Sequence, residues 1–160
     1  MVRYLHLDEV NSAAIRRVHA YWNALRGSRR FPAKRDIDPA ALKSVLPYLL
    51  ISEVHQAPLR VRYRLVGTEV AHFSGEDFTG KWLHETSWGA DRHAIEQYYV
   101  RMLAIGQPTF GIDHFTQVSD GQRKSYEWGM FPLAEDGEHI DHCLAEEDYC
   151  LLDRFEAHRR

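Results

Sequence analysis

The first apolar positions of the chain recur at helical spacing. Four of them form one stripe, Ile15, Val18, Trp22 and Leu25. Asp8 or Asn11 can cap a helix that carries this stripe, and Gly27 is placed to end it. The pattern predicts a first helix whose apolar face must bury against another surface. A second, short helix is predicted between Asp38, as its N-cap, and Pro47.

Beyond Tyr48 the spacing changes from helical to alternating. Residues 49–54, LLISEV, are mainly apolar and include two β-branched residues, and a turn is predicted at Ala57-Pro58. Residues 59–65 then alternate strictly between apolar side chains and arginine. Such alternation is typical of an antiparallel strand with one solvated face.

The remainder of the chain predicts one long helix and three more strands. The helix covers residues 91–105 and ends at Gly106. The strand-like segments are PTFGIDHFTQV, QRKSYEWGMFPL and EHIDHCLAEEDY. Asp120-Gly121 and Asp136-Gly137, which lie between them, are hairpin turn signals. Five strands with helices inserted after the second predict an α+β domain with an antiparallel sheet.

Composition places the chain among single-domain globular proteins. It has 160 residues, of which 44% are hydrophobic and 27% are charged. The N-terminus lacks the apolar core of a signal peptide, and nowhere do 18 apolar residues follow one another. Cys143 and Cys150 have no CxxC spacing and are compatible with a reducing compartment. We therefore expect a cytoplasmic protein that does not engage a membrane.

The net charge of −3 conceals an uneven distribution. Residues 1–35 carry eight Lys or Arg and two Asp or Glu, whereas residues 36–160 carry twelve and twenty-one. The cations of the basic 26–35 segment are Arg26, Arg29, Arg30, Lys34 and Arg35. This segment has neither a recognition-helix pattern nor interleaved aromatic residues. A solvated linker is the favoured interpretation, and a nucleic-acid accessory protein is an alternative.

The stretch GEDFTGKW, from Gly75 to Trp82, partly matches a phosphate-binding loop. Gly75, Gly80 and Lys81 satisfy the first seven positions of that motif, but Trp82 stands where a hydroxyl should hold magnesium. Glu76 and Asp77 would also repel phosphate. The glycines therefore need another explanation.

Five segments between Trp22 and Glu85 resemble a known family. They are WNALRG, RRFPAKRDIDP, LPYLLISEV, RYRLVGTEV and GEDFTGKWL. Together they closely resemble a bacterial group of PAS domains usually found as nearly whole chains, and the later strands match the expected order. In such domains, glycines at the places of Gly75 and Gly80 provide left-handed or tightly packed backbone rather than a phosphate site.

The resemblance implies a PAS-like five-stranded antiparallel sheet in the order 2-1-5-4-3, with helices on one face and an N-terminal helical extension. It places this extension at residues 1–47, the PAS-like domain at 48–150 and a C-terminal tail at 151–160. PAS domains commonly hold a small molecule or cofactor between helices and sheet, and they signal to a partner through flanking helices. The implied function is therefore a non-enzymatic sensory or protein-interaction module, whose cofactor, if any, the sequence does not identify.

Strand parity and the predicted helices indicate which side chains would face a ligand pocket. The predicted ligand-binding residues are Tyr63, Leu65, His72, Phe73, Trp82, Met102, Phe110, Ile112, Tyr126, Trp128 and Met130. Such a lining suits a planar or apolar ligand with a few polar anchors. Periodicity alone does not distinguish a cavity from a filled core, so both remain open. The predicted interface of a homodimer is the stripe Ile15, Val18, Trp22 and Leu25.

Ten histidines raise the question of a metal or haem site. His139 and His142 are the closest pair, but positions i and i+3 of a strand face opposite sides, and no set of residues has structural-zinc spacing. We therefore predict no metal site. In haem-binding PAS domains the iron ligand lies on the long helix or a nearby loop, where His84 and His93 occur. Scattered surface histidines are the favoured interpretation. Flavin photochemistry needs a cysteine on the helical side, where neither cysteine lies.

An enzyme is the competing hypothesis. Small α+β cones of the ketosteroid-isomerase type also enclose an apolar pocket, and they use a pocket Asp or Tyr of shifted pKa. Their helices precede most of the sheet, whereas here two strands precede the long helix. The strand order of the sheet therefore distinguishes the two folds.

Overall fold

A six-stranded antiparallel sheet forms the centre of the computed structural model, which describes residues 2–117 and 120–149. The strands are β1 (Arg3–Leu5), β2 (Leu49–His55), β3 (Arg60–Val66), β4 (Thr109–Thr116), β5 (Arg123–Leu133) and β6 (His142–Asp148). Their order across the sheet is β3-β2-β6-β5-β4-β1. The predicted order 2-1-5-4-3 holds for β2 to β6, and the added strand β1 pairs with β4 at one edge. This order is that of the PAS-like fold and not of the cone.

In the described part of the chain, three α-helices accompany the sheet, α1 (Ala13–Arg26), α2 (Thr68–Ser74) and α3 (Asp91–Ile105). The bounds of α3 are those predicted. The short helix predicted between Asp38 and Pro47 is instead two 3₁₀ turns, Pro39–Leu42 and Leu46–Tyr48. Asp38 does cap the first turn, because its carboxylate accepts the N–H of Ala40 at 2.9 Å.

The start of α1 is fixed by carboxylates of the sheet. Ser12 is the N-cap, rather than Asp8 or Asn11, and its hydroxyl accepts the N–H of Ile15 at 3.1 Å. The same hydroxyl donates to Asp148 Oδ2 at 2.5 Å, while Glu127 Oε1 accepts the N–H groups of Asn11 and Ser12 at 2.9 Å each. Acidic side chains near a helix N-terminus stabilise it by compensating its unpaired N–H groups and its dipole.

The apolar stripe of α1 packs against the sheet of its own chain. Ile15 and Val18 are 0% exposed and Trp22 is 5% exposed, while Leu25 is half-buried. The indole N–H of Trp22 donates to the carbonyl of Pro132 at 2.8 Å. The prediction that this stripe forms a dimer interface is therefore wrong, because its first three side chains are already covered within one chain.

Helices lie on both faces of the sheet. The ring of His19 in α1 contacts Phe131 of β5, whereas Tyr98 of α3 stacks on Trp128 of the same strand. Because successive side chains of a strand alternate, Phe131 and Trp128 face opposite sides. We therefore refer to the α1 face and the α3 face. The helices α2 and α3 cover one face, as predicted, and α1 of the predicted N-terminal extension covers the other.

A β-bulge changes the alternation in β3. Ser52 pairs with Tyr63, but the preceding residue Ile51 pairs with Leu65, so Arg64 is an extra residue. The extra residue turns Tyr63 towards the α3 face and Leu65 away from it. Leu65 is consequently 37% exposed instead of facing the predicted pocket.

Within residues 2–117 and 120–149, no helix combines the length and the apolar character needed to cross a bilayer. The boundary at 47/48 stays a prediction. The predicted tail at 151–160 and Cys150 lie outside the described residues.

Candidate functional site

A cavity of about 190 Å³ lies between the α3 face of the sheet and the helices α2 and α3. Its walls come from five strands and both helices, together with the loop that joins the helices. The lining is Leu50, Tyr63, Val70, Phe73, Ser74, Phe78, Trp88, Asp91, Ile95, Tyr98, Tyr99, Asp113, His114, Phe115, Thr116, Tyr126, Trp128, Gly129, Met130, Ala145, Glu147 and Tyr149. Asp91, His114 and Thr116 are exposed, so they mark the side on which the cavity meets solvent.

Ten of the 22 lining residues are Phe, Tyr or Trp, and nine of these pack in three groups. The first is Phe73, Phe115, Tyr126 and Tyr149, in which the rings of Phe73 and Tyr149 stack with centroids 4.1 Å apart. The second is Tyr63, Phe78 and Trp88, packed edge to face. The third is the stacked pair Tyr98 and Trp128, at 4.6 Å. Interlocked rings of this kind give a cavity stiff walls.

Trp128 has room for its indole because the residue opposite it is a glycine. Gly111 pairs with Trp128 across β4 and β5. A Cβ atom at Gly111 would lie 2.5 Å from Cζ2 of the indole, which is closer than van der Waals contact allows. The absence of a side chain at Gly111 therefore sets the position of one cavity wall.

Two carboxyl groups lie among the aromatic side chains of the lining, and each accepts a hydrogen bond from a tyrosine. The hydroxyl of Tyr98 donates to Asp113 Oδ2, and that of Tyr149 donates to Glu147 Oε2. Asp113 Oδ1 also accepts the N–H of His114 at 2.7 Å. Asp113 faces Tyr126 across the β4–β5 pair, and Glu147 faces Trp128 across the β5–β6 pair. Both carboxyl groups therefore project from the sheet into its α3 face.

Burial among these rings changes the acidity of both carboxyl groups. It raises the pKa of Glu147 to about 7, with the charge of Asp113 adding to the rise and the hydrogen bond from Tyr149 opposing it. Burial likewise raises the pKa of Asp113. No Lys or Arg is among the described residues that line the cavity. The two carboxyl groups thus have tyrosine donors but no lysine or arginine partner in the described lining.

A second polar chain lies deeper, beside β2. The hydroxyl groups of Ser52 and Tyr99 are 2.9 Å apart, and Tyr99 is hydrogen-bonded to Tyr63. Burial raises the pKa of both tyrosines, so they remain neutral hydroxyl groups. They can donate to or accept from a ligand without adding charge.

Five of the predicted ligand-binding residues are brought together at this cavity. They are Tyr63, Phe73, Tyr126, Trp128 and Met130. Leu65 is turned away by the bulge in β3. His72 is on the exposed side of α2, and Met102 is fully buried without lining the cavity.

The other three predicted residues lie elsewhere for identifiable reasons. Phe110 and Ile112 belong to the α1 face, because the β4 residues that pair with Tyr126 and Trp128 are Asp113 and Gly111. Trp82 lies outside the cavity, where the guanidinium of Arg60 stacks on its ring at 3.9 Å. The parity assigned to β4 was thus wrong by one residue.

Glu147 and Asp113 are not among the ligand-binding residues predicted from the sequence. The acidic run Glu146, Glu147 and Asp148 ends an otherwise apolar strand. Side chains alternate along that strand, so a run of three must send a carboxyl group to each face of the sheet. That signal could have identified Glu147.

The loop from Gly75 to Trp82 is explained by its internal contacts. Gly75 and Gly80 have φ of 81° and 84°, so both adopt the left-handed backbone that was predicted. Lys81 Nζ donates to Glu76 Oε2 at 2.8 Å, and this lysine is the main reason that the pKa of Glu76 falls to about 2. The lysine that would contact phosphate therefore neutralises a carboxylate of the loop itself.

Among the described residues, neither the histidines nor the basic 26–35 segment supply a comparable site. His84 and His93 line a separate depression beside β3. Among the described residues, no group of three or more His, Cys, Asp and Glu side chains is arranged to hold a metal ion. In the basic segment, Arg29 pairs with Asp36 at 2.7 Å and Arg35 pairs with Glu135. These internal ion pairs occupy two of its five cations.

Comparison with known proteins adds a family match and two structural similarities. Residues 10–144 match the model of a family described as PAS domain. No curated protein matches the chain. A light-oxygen-voltage domain studied with a flavin analogue is similar at a TM-score of 0.53 and 15% identity, over 74% of this chain and 88% of that chain. An RNA-binding light-oxygen-voltage receptor is similar at a TM-score of 0.50 and 14% identity, over 80% of this chain and 38% of that chain. At sequence identities this low, the two structural similarities show a shared fold and nothing more.

Proposed function

This chain belongs to the PAS domain family, and on that premise we propose that it is a sensory module whose signal is a small molecule bound in the cavity under α2 and α3. The observation that carries the proposal is the combination of an aromatic lining with two carboxyl groups and a pair of neutral tyrosine hydroxyls. A mainly apolar pocket with a few polar groups is the usual form of a small-molecule site.

The size of the cavity limits the ligand. An apolar cavity of roughly 150 Å³ can hold benzene, so about 190 Å³ suits one ring with a small substituent. A flavin has three fused rings and does not fit this space. None of the described lining residues is a cysteine, and Cys143 lies on β6 at 1% exposure with its pKa raised to about 12 by burial. We therefore assign no flavin chemistry to the chain.

The output route that we propose is the N-terminal segment. The ring of Tyr4 in β1 packs edge to face on Tyr98 and on Trp128, at 6.2 and 6.1 Å. A ligand that displaces the Tyr98–Trp128 stack would change the support of β1, which is only three residues long and pairs with one strand. Population shift between two packings of this segment would transmit the signal.

Three further points of the proposal rest on family membership. We propose that the chain catalyses no reaction, that it works as a homodimer with a protein signalling partner, and that it acts in the bacterial cytoplasm. The dimer contact must involve a surface other than the covered stripe of α1.

The binding test uses benzyl alcohol, a neutral compound with one ring, and the full chain labelled for NMR. Mass spectrometry of the denatured protein first establishes whether a copurified molecule must be removed. We expect saturable shifts of amide signals in β5 and β6. Ala145 lines the cavity, so Ala145→Leu should abolish these shifts by filling it.

The matched control is Ala24→Leu, an identical exchange at an exposed position of α1. It should leave the shifts unchanged. Shifts that persist in the folded Ala145→Leu variant, or that lie outside the cavity, would contradict the proposed site.

A further inference from the structure

The two carboxyl groups of the cavity pose an electrostatic problem. Asp113 and Glu147 lie among aromatic rings, and the described lining holds no Lys or Arg to pair with them. Buried carboxylates in proteins are normally paired with a cation or coordinated to a metal. Tyrosine hydroxyls satisfy one oxygen of each group but contribute no positive charge.

We propose that the ligand of this cavity is a small organic cation, namely an ammonium group that bears methyl groups or a single ring. The inference rests on the proposed function, because it names the chemical class of the ligand for the same site. Glu147 supplies the countercharge, and Asp113 adds to the negative potential.

The aromatic walls support the same class of ligand. The faces of Tyr and Trp rings attract cations, and sites for quaternary ammonium groups are built as cages of such rings. Here Glu147 lies between Trp128, its cross-strand neighbour, and the ring group that contains Tyr126 and Tyr149. The surface of a methylated ammonium group is apolar, which matches the aromatic walls. Its net charge is positive, which matches the negative carboxylate of Glu147.

The entrance carries charge of the same sign as the interior. Asp91 is exposed at the mouth of the cavity, and it lies close enough to raise the pKa of Asp113. A cleft lined by one sign of charge attracts ligands of the opposite sign. His114 is the only residue with a basic side chain in the described lining.

Binding of a permanent cation should depend on the ionisation of Glu147. The other titratable groups that line the cavity with it are Asp113 and His114 from β4, Tyr126 from β5, Asp91, Tyr98 and Tyr99 from α3, Tyr63 from β3, and Tyr149. Tyr63, Tyr99, Tyr126 and Tyr149 stay neutral near pH 7, because burial raises their pKa values. As pH falls through the pKa of Glu147, at about 7, its carboxylate is lost and affinity should fall.

The test compares choline with 3,3-dimethylbutan-1-ol, its neutral carbon analogue of the same shape, by calorimetry or NMR titration of the full chain. We expect choline to bind at least about tenfold more tightly at pH 8. The charge of choline does not change with pH, so a decrease of up to about tenfold per pH unit below pH 7 reports the protein. The neutral alcohol should show no such decrease.

Two variants at neighbouring positions separate the cavity from the rest of the sheet. Glu147→Gln keeps the size of the side chain and an acceptor for the hydroxyl of Tyr149. It should remove the preference for choline without lowering the affinity for the neutral alcohol. Glu146→Gln removes a carboxyl group from the α1 face and should leave the preference unchanged. Asp113→Asn is the second cavity variant and should reduce the preference.

Each outcome has a definite meaning. Equal affinity of the two compounds, or an unchanged preference in Glu147→Gln, would overturn the assignment of a cation while leaving a small-molecule site in place. If benzyl alcohol, choline and the neutral alcohol all fail to bind, the proposed function is overturned as well.

Discussion

Glu146 and Glu147 are adjacent in the chain but lie in different surroundings. Glu147 faces the cavity, whereas Glu146 is 1% exposed on the α1 face, where its Oε2 atom is buried without a hydrogen-bond partner among the described residues. Burial raises the pKa of Glu146 to about 9, and the like charges of Asp148 and Glu147 add to the rise. Glu146 is therefore protonated in the folded protein at neutral pH but ionised in the unfolded chain.

This difference predicts that Glu146→Gln stabilises the protein more at high pH than at low pH. The pKa of Glu146 rises from 4.5 to about 9 on folding, so the folded state binds the extra proton between these values and stability falls as pH rises. The variant removes that dependence. We expect urea denaturation to show a gain on the order of 4 kcal/mol at pH 8 relative to pH 5, about 1.4 kcal/mol for each pH unit between them. An equal effect at both pH values would show that Glu146 ionises normally.

At the scale of elements, α1 is attached to the sheet through its apolar stripe and a hydrogen bond at each end. Ser12 at its N-terminus contacts Asp148, and Trp22 near its C-terminus contacts the carbonyl of Pro132. The helix thus belongs to the core of the chain, where its side chains contribute to folding rather than to association.

Trp22→Phe tests this role of α1. The variant loses the indole N–H and leaves the buried carbonyl of Pro132 without this donor, which should lower the free energy of unfolding by about 1–3 kcal/mol. Denaturant titration gives that change, and light scattering should give the same mass as for the wild type. A folded variant with a smaller mass in solution than the wild type would show that the stripe does form an interface between chains.

The sequence predicted most elements of the sheet, because hairpin signals and alternation record which residues are buried. It could not predict the side of the cavity in β4, where residues of both parities are buried and alternation therefore disappears. It also could not reveal the bulge at Arg64, because one extra residue in β3 leaves the pattern of apolar and charged residues unchanged while reversing the direction of Leu65.

At the scale of the whole molecule, the sheet separates two different interiors. The α1 face packs against the buried stripe of α1, whereas the α3 face contains the cavity and extends to the sheet edge through Tyr4, Tyr98 and Trp128. The N-terminal strand β1 therefore contacts the cavity wall directly. The helix α1, which follows it, contacts the cavity only through the sheet.

This arrangement predicts where ligand binding changes backbone dynamics. Hydrogen exchange of the full chain with and without benzyl alcohol should show a larger change in β1, Arg3–Leu5, than in α1, Ala13–Arg26. The reason is that Tyr4 touches two rings of the wall. Ala145→Leu with benzyl alcohol is the control and should show no ligand-dependent change. A larger change in α1 would place the output route through the sheet instead.

The indole of Trp128 fills the space that a side chain at position 111 would need. The residue types at positions 111 and 128 therefore depend on each other. A methyl group at Gly111 would collide with the indole, whereas a smaller ring at position 128 would leave space for it and widen the cavity. The two positions should therefore vary together in evolution, with glycine accompanying tryptophan and a larger residue accompanying a smaller ring. Such a paired exchange would let related chains change the size of the molecule they recognise while the backbone of the sheet stays the same.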